Sequence, residues 1–216
     1  MTNCKSSPTL EYEISLSLEG FKRVVGIDEA GRGTWAGPVY AGAVILEISD
    51  QTIAALSAVN DSKKMTEEQR EKCFQLIQNM ALAWGIGQAS NEEIDQLGIV
   101  PATELAVVRA VQGLSIQPDF ALVDAFNIRS LKLPQQGLVK GDAKSLSIAA
   151  ASILAKVARD RHMVELAQLY PGYGFEVHKG YGTVLHRKKL IELGVSDLHR
   201  RTFRPIKDMI LSKTSV

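Results

Sequence analysis

The chain has 216 residues, 45% hydrophobic and 23% charged, enough to bury the core of one soluble α/β domain with or without a small appendage. A formal net charge of +1 excludes a uniformly polybasic nucleic-acid binder. The charge is nevertheless uneven: residues 178–207 carry eight Lys/Arg against Glu192 and Asp197, a net of +6 that leaves −5 for the rest of the chain. His178, His186 and His199 fall in that basic segment, so its positive potential is expected to grow at mildly acid pH. Cys4 and Cys73 are far apart and suggest neither a disulfide framework nor a zinc site. Residues 1–20 lack an apolar leader core, and no apolar run approaches ~18 residues, so a reducing cytoplasm without membrane contact is the expected setting.

Residues 1–20 are polar, with a loose alternation through Tyr12, Ile14, Leu16 and Leu18 that predicts an edge strand at most, and they receive no role. Residues 24–28 form a β-branched run that ends on adjacent carboxylates, Asp28 and Glu29, followed by Gly31-Arg32-Gly33. Neighbouring side chains of a strand point to opposite faces, so paired acids belong at a strand tip, where open α/β sheets place their sites. The two glycines let backbone N–H groups approach a ligand closely, and Arg32 adds a positive charge. The plainer alternative is a glycine turn with solvated charges.

After Gly37-Pro38, residues 39–48 read as a second strand, antiparallel to the first because the connection is short. Asp61-Ser62-Lys63-Lys64 is a polar turn. Thr66 with Gln69 forms a capping box ahead of a helix whose stripe is Cys73, Phe74, Ile77 and Met80. Residues 82–89 read as a third strand. Ser90 with Glu93 opens a short helix that Gly98 ends, and Pro101 begins another with Leu105, Val108 and Val111 on one face.

Residues 120–123 form a strand that again ends on a carboxylate, Asp124. A loop through Pro134 leads to Gly141-Asp142-Ala143-Lys144-Ser145, which opens a long helix running to about Leu169. Its small residues, 149–152 and Ala155, predict a close approach to the sheet. Tyr170-Pro171-Gly172 stops it, a Gly/Tyr-rich loop follows through residues 178–182, Thr183 caps a basic helix ending before Gly194, and a last helix lies near Pro205.

Asp28, Glu29, Asp124 and Asp142 thus come from two strand ends and one helix start, positions that a compact α/β fold gathers at one sheet edge. Like charges so placed require cations or a proton, and oxygen-only donors point to Mg²⁺ or Mn²⁺. Two such ions roughly 3.5–4 Å apart would activate a water and stabilise the leaving oxygen in phosphodiester hydrolysis. Each acid has an ordinary alternative: Asp142 as a helix N-cap, Asp124 as the start of a turn. Tyr181 is a candidate for stacking on a nucleotide or for plain packing. His178 and His199 are candidates for phosphate contact or for helix capping.

The strings at residues 26–33, 61–64, 141–145, 149–153 and 178–183 together resemble the type 2 ribonuclease H family, in its bacterial ribonuclease HII branch, over about residues 24–203. The resemblance implies an α/β ribonuclease H-like fold, a mixed five-stranded sheet flanked by helices, with a C-terminal helical extension. Residues 21–170 would be the catalytic core, residues 171–216 a basic helical part completing the substrate groove, and residues 1–20 a segment of unassigned role. By matching motifs, Asp28, Glu29, Asp124 and Asp142 would be the catalytic acids holding two Mg²⁺ or Mn²⁺ ions. The backbone of Gly31, Arg32 and Gly33 would read the ribose 2′-OH, and Tyr181 would stack on the sugar after the junction. Lys63, Lys144, Lys179 and Arg200 are further candidate substrate contacts.

The implied substrates are RNA/DNA hybrids and duplex DNA with a single ribonucleotide, cut to 3′-hydroxyl and 5′-phosphate ends in ribonucleotide excision, by a monomer. The sister ribonuclease HIII fits less well, because it usually has an extra N-terminal domain and Lys at the position of Arg32. Two departures from the usual pattern stand out: Thr34-Trp35 replaces Pro or Cys followed by Leu, and Ala125 replaces a common glycine. The competing readings are a non-catalytic nucleic-acid-binding module and a metal-dependent phosphatase or nuclease of other substrate.

Overall fold

The computed structural model describes residues 7–214. Five strands, β1 (Val24–Ala30), β2 (Val39–Ile45), β3 (Ala83–Ala89), β4 (Phe120–Asp124) and β5 (Gln135–Leu138), form one mixed sheet in the order β3-β2-β1-β4-β5. β2 runs antiparallel to β1 and β3, as the short connection predicts, while β1, β4 and β5 are mutually parallel. β5 carries no apolar run and was not legible as a strand; it is held by pairing with β4 rather than by propensity.

The helices are α1 (Glu11–Leu18), α2 (Asp50–Ala55), α3 (Glu67–Met80), α4 (Asn91–Leu97), α5 (Ile99–Gln112), α6 (Leu146–Leu169), α7 (Phe175–His178), α8 (Val184–Leu193) and α9 (Ile206–Thr214). Both capping boxes form, at Thr66/Gln69 and Ser90/Glu93, and Thr183 caps α8 by accepting from His186 N–H. Residues 11–18 are a helix and not an edge strand: Glu13 and Leu16, one turn apart, are its buried side chains. The buried face of α5 is also rotated from the predicted stripe, being Ala102, Ala106, Val107, Ala110 and Val111.

α5 covers one face of the sheet and α6 the other. α6 lies against the strands so closely that a Cβ on Gly26 would stand 2.2 Å from the Ser147 carbonyl carbon, and one on Gly42 would stand 2.2 Å from the Ala151 oxygen. The small residues predicted on the helix are therefore matched by glycines on the strands. A separate small core of Ala36, Met163, Tyr173, Phe175 and Leu198 joins the C-terminal helices to the far end of α6. Cys73 is a buried free thiol, and the reading of Cys4 lies outside the described residues. No helix among the described residues is long and apolar enough to cross a membrane.

Candidate active site

β1 and β4 run parallel in register up to Ile27 opposite Val123, so the next residue of each strand, Asp28 and Asp124, places two carboxylates side by side on the α6 face. Asp28 is buried, and burial, then the charges of Glu29 and Asp124, push its carboxyl well above the ordinary range; a hydrogen bond from Ser152 on α6 partly offsets this. Its Oδ1 accepts from the Glu29 N–H at 2.7 Å. Glu29 is raised by burial too, with Arg32 pulling it back through a 3.1 Å contact from Nη1 to Oε1.

Asp124 Oδ1 accepts from Gly141 N–H at 2.7 Å, a bond that pins the turn carrying Asp142 to the tip of β4. Asp142 lies in a 3-10 turn, Gly141–Ala143, and the N-cap of α6 is Ser145, which excludes the capping alternative for Asp142. Burial and the Asp124 charge raise Asp142, and Lys63 stands 3.8 Å from its Oδ2. Burial pulls Lys63 down, but Asp142, Asp28, Asp61 and Asp124 outweigh it and hold the ammonium above its ordinary value.

The charge of Asp124 thus acts on each of Asp28, Glu29 and Asp142, a concentration of negative charge that a cation would relieve. Among the described residues no three His, Cys, Asp or Glu side chains converge tightly enough to enclose an ion by themselves. Oxygen donors spread in this way fit a hard cation such as Mg²⁺, which binds through one or two carboxylates and completes its shell with water and substrate phosphate.

The glycine loop is built from beneath. Arg200 is fully buried and donates to the carbonyls of Gly31 (2.7 Å), Arg32 (2.8 Å) and Gly37 (2.9 Å). Arg159, also fully buried, donates to Pro38 O, Ala36 O, Thr34 Oγ1 and, across to the next loop, Lys179 O. Gly31 has φ +94°, and a Cβ there would stand 2.0 Å from Arg159 Nε, so no other residue fits. A trans peptide sets N–H opposite C=O. With the carbonyls of Gly31 and Arg32 turned in to Arg200, the N–H groups of Arg32 and Gly33 are turned out.

Tyr181 faces this loop. Its ring is 41% exposed and lies 5.5 Å from Lys156 Nζ and 5.7 Å from the Arg159 guanidinium. Glu29, Gly31, Arg32, Lys63, Ser152, Lys156 and Tyr181 line one cleft of about 210 Å³.

Among the remaining candidates, burial separates Arg200 and the histidines from the surface and leaves the lysines accessible. Arg200 is a buried support of the loop and not a surface contact. Lys144 is exposed, and the cations that act on Asp142 are Lys63 and Lys64. Lys179 turns its ammonium back onto the Glu176 carbonyl. The three histidines are buried and packed together, so none is placed for phosphate contact. His186 Nδ1 lies 2.9 Å from the Tyr181 carbonyl and must donate, which makes its Nε2 an acceptor for His199 Nε2–H at 3.1 Å; His199 Nδ1 then accepts from Ser196 N–H. The rings are neutral supports of the Tyr181 loop, and burial holds His186 and His199 down at about 4, so the expected gain of charge at mildly acid pH does not come from them.

Sequence reasoning missed Ser152, Lys156 and Arg159. Their signal, a period of three to four residues along the α6 face turned to Asp28 and the glycine loop, is hidden in a helix buried on nearly all sides.

The sequence model of the family described as Ribonuclease HII matches residues 25–206. Ribonuclease HII of Desulfitobacterium hafniense (strain Y51) is 51% identical over 201 residues, covering 93% of this chain and 76% of that one. Among solved structures, ribonuclease H2 from Pyrococcus horikoshii OT3 superposes with a TM-score of 0.75 at 26% identity, covering 90% of this chain and all of that one. The ribonuclease HII solved in complex with PCNA from Archaeoglobus fulgidus gives 0.72 at 25% identity over 85% of this chain and 96% of that one. With an α/β ribonuclease H-like fold and this match over most of its length, the chain belongs to the ribonuclease HII family, endonucleases that act on RNA in RNA/DNA hybrids.

Proposed function

We propose that the enzyme also cuts duplex DNA on the 5′ side of a single embedded ribonucleotide, leaving 3′-hydroxyl and 5′-phosphate ends, and so serves excision of misincorporated ribonucleotides as a cytoplasmic monomer. The observation that supports this reading is the shared cleft: Glu29, the Gly31-Arg32 backbone of the glycine loop and the exposed Tyr181 line one space, and Asp28, the residue before Glu29, feels the charges of Glu29 and Asp124. Asp28, Glu29, Asp124 and Asp142 would hold two divalent cations, Mg²⁺ or Mn²⁺, which supply an activated water and charge neutralisation at the leaving oxygen.

The chain's own residues do the rest. Arg32 and Gly33 N–H groups donate to a ribose 2′-oxygen, an acceptor that deoxyribose lacks. Arg200 and Arg159 keep those donors in place, and Tyr181 receives the next sugar on its ring face. Lys63, beside Asp142, adds positive charge where phosphate enters.

The test is one labelled duplex with a single ribonucleotide beside its all-DNA twin, incubated with Mg²⁺ or Mn²⁺ and then with chelator. Metal-dependent cutting 5′ of the ribonucleotide with the twin intact is expected. Cutting of long hybrids but not of the single-ribonucleotide duplex would overturn the junction reading, and cutting in chelator would overturn the metal assignment.

A further inference from the structure

Across Gly182 from Tyr181 lies a feature that the active site does not use. The indole of Trp35 rests directly on Gly182, where a Cβ would stand 2.3 Å from the ring. Trp35 N–H donates to Gly180 O at 2.8 Å, and its carbonyl accepts from Arg200 N–H at 2.8 Å, so this one residue ties the glycine loop to the Tyr181 loop. His186 packs against the indole with ring centroids 5.4 Å apart, and the guanidinium of Arg187 sits 5.5 Å from the ring centroid.

Arg187 is exposed, and it differs from the two cations that follow it on α8. Lys188 and Lys189 both turn to Glu192, at 3.8 and 2.8 Å. Among the described residues no carboxylate pairs with Arg187, which is held by an aromatic face instead. A guanidinium stacked on an indole loses little further freedom on binding and keeps its N–H edges for a bidentate acceptor, the geometry of phosphate recognition.

We propose that Arg187, seated on Trp35, binds a backbone phosphodiester of the nucleic-acid strand that passes Tyr181, with Trp35 as its positioning residue. The proposal rests on the reading that Tyr181 faces the substrate. It gives a use to the Trp35 indole, whose π face already holds the Arg187 guanidinium.

The test is binding of the single-ribonucleotide duplex by fluorescence anisotropy, with Ca²⁺ in place of Mg²⁺ so that the strand stays whole, across a salt series. Arg187→Ala should weaken binding roughly tenfold and make the plot of log K against log salt shallower by about 0.9, the signature of one lost phosphate contact. Arg187→Lys should keep the salt slope and lose part of the affinity. Lys188→Ala, which removes a cation already paired with Glu192, should leave the slope unchanged. Trp35→Leu should weaken binding, and combining it with Arg187→Ala should add little, because the two act as a unit. Arg187 is exposed, so its variants are expected to melt with the wild type, and they decide the matter even where Trp35→Leu does not fold. An unchanged slope and affinity for Arg187→Ala would overturn the proposal, as would losses that simply add. If the wild type itself neither binds nor cuts this duplex, the reading on which the proposal rests falls with it.

Discussion

Asp28 and Asp124 are neighbours across two parallel strands, each one residue beyond the last registered pair, Ile27 with Val123. Register alone brings them together, before any side-chain preference acts. Their proximity is costly without a cation: burial and the neighbouring acids raise Asp28 well above its ordinary value, so its ionisation destabilises the native state at neutral pH. The sign follows from linkage. A carboxyl with a raised folded-state pKa makes the protein less stable as pH rises through that value and more stable as pH falls towards its unfolded one.

Asp28→Asn is therefore expected to stabilise the metal-free protein by about 1 kcal/mol, since the amide keeps the Glu29 N–H bond and can donate to its carboxylate neighbour. Turnover should fall by at least about 10³-fold, because the donor set for cations is broken. Thermal melts with and without Mg²⁺ check both points: Mg²⁺ should raise the melting temperature of the wild type and not that of the variant. Retained turnover in a clean preparation would reject the assignment of Asp28.

Ala125 follows Asp124 with φ +64°, the left-handed region that a β-carbon disfavours. The turn is fixed on both sides, by Ala125 N–H to Leu138 O at 2.9 Å and Phe126 N–H to Asp124 O at 2.8 Å. Ala125 is exposed, so its methyl group packs into no core. Ala125→Gly should stabilise the protein by about 0.5–1 kcal/mol after the entropy of the unfolded chain is counted, with activity kept. A denaturant midpoint that falls on substitution would show that the turn carries no strain.

The sequence carried the acids and the capping boxes because each is a local pattern: a strand that runs out onto a carboxylate, or a hydroxyl three residues before Glu or Gln. What it hid depends on contacts distant in the chain. Arg200 reads as one more basic residue of a charged tail, and only the fold buries it under Gly31, 169 positions away. α1 was missed because Glu13 is buried by Ser145 and Ser147, partners that no window around residue 13 contains. Nothing local marks Gly26 and Gly42 within their strands, and their use appears once α6 lies upon them.

The His186–His199 pair gives the protein an acid-labile support. Burial first, then the neighbouring histidines, holds both at about 4, against about 6.5 in an unfolded chain. Above pH 6.5 neither state binds the proton. Between 6.5 and 4 the unfolded chain binds protons that the native pair refuses, so stability falls as pH falls, on the order of 2 kcal/mol per ring by pH 5. Asp28 acts in the opposite direction, so the comparison needs a variant. Urea midpoints of the wild type and His199→Asn between pH 7 and 5 make it, and equal slopes would refute the histidine account.

Glu13 anchors the start of α6 from outside the helix. Its Oε1 accepts from Ser145 Oγ at 2.7 Å, Ser147 N–H at 3.1 Å and Ser147 Oγ at 2.5 Å, while Oε2 is buried without a hydrogen-bond partner. A carboxyl at the positive end of a 24-residue helix is favourably placed, and Thr9 fastens the same turn through Lys144 O and Leu146 N–H. The turn in question is the one that follows Asp142. Glu13→Ala removes the charged acceptor shared by two buried hydroxyls and the Ser147 N–H and should cost about 2–4 kcal/mol. Because Asp142 is held through that turn, the variant should also need more Mg²⁺ for half-maximal cleavage at a temperature where it remains folded. Chemical denaturation and a Mg²⁺ titration of the same preparation measure the two effects; a denaturant midpoint and Mg²⁺ requirement both equal to those of the wild type would show that α1 does not support the site.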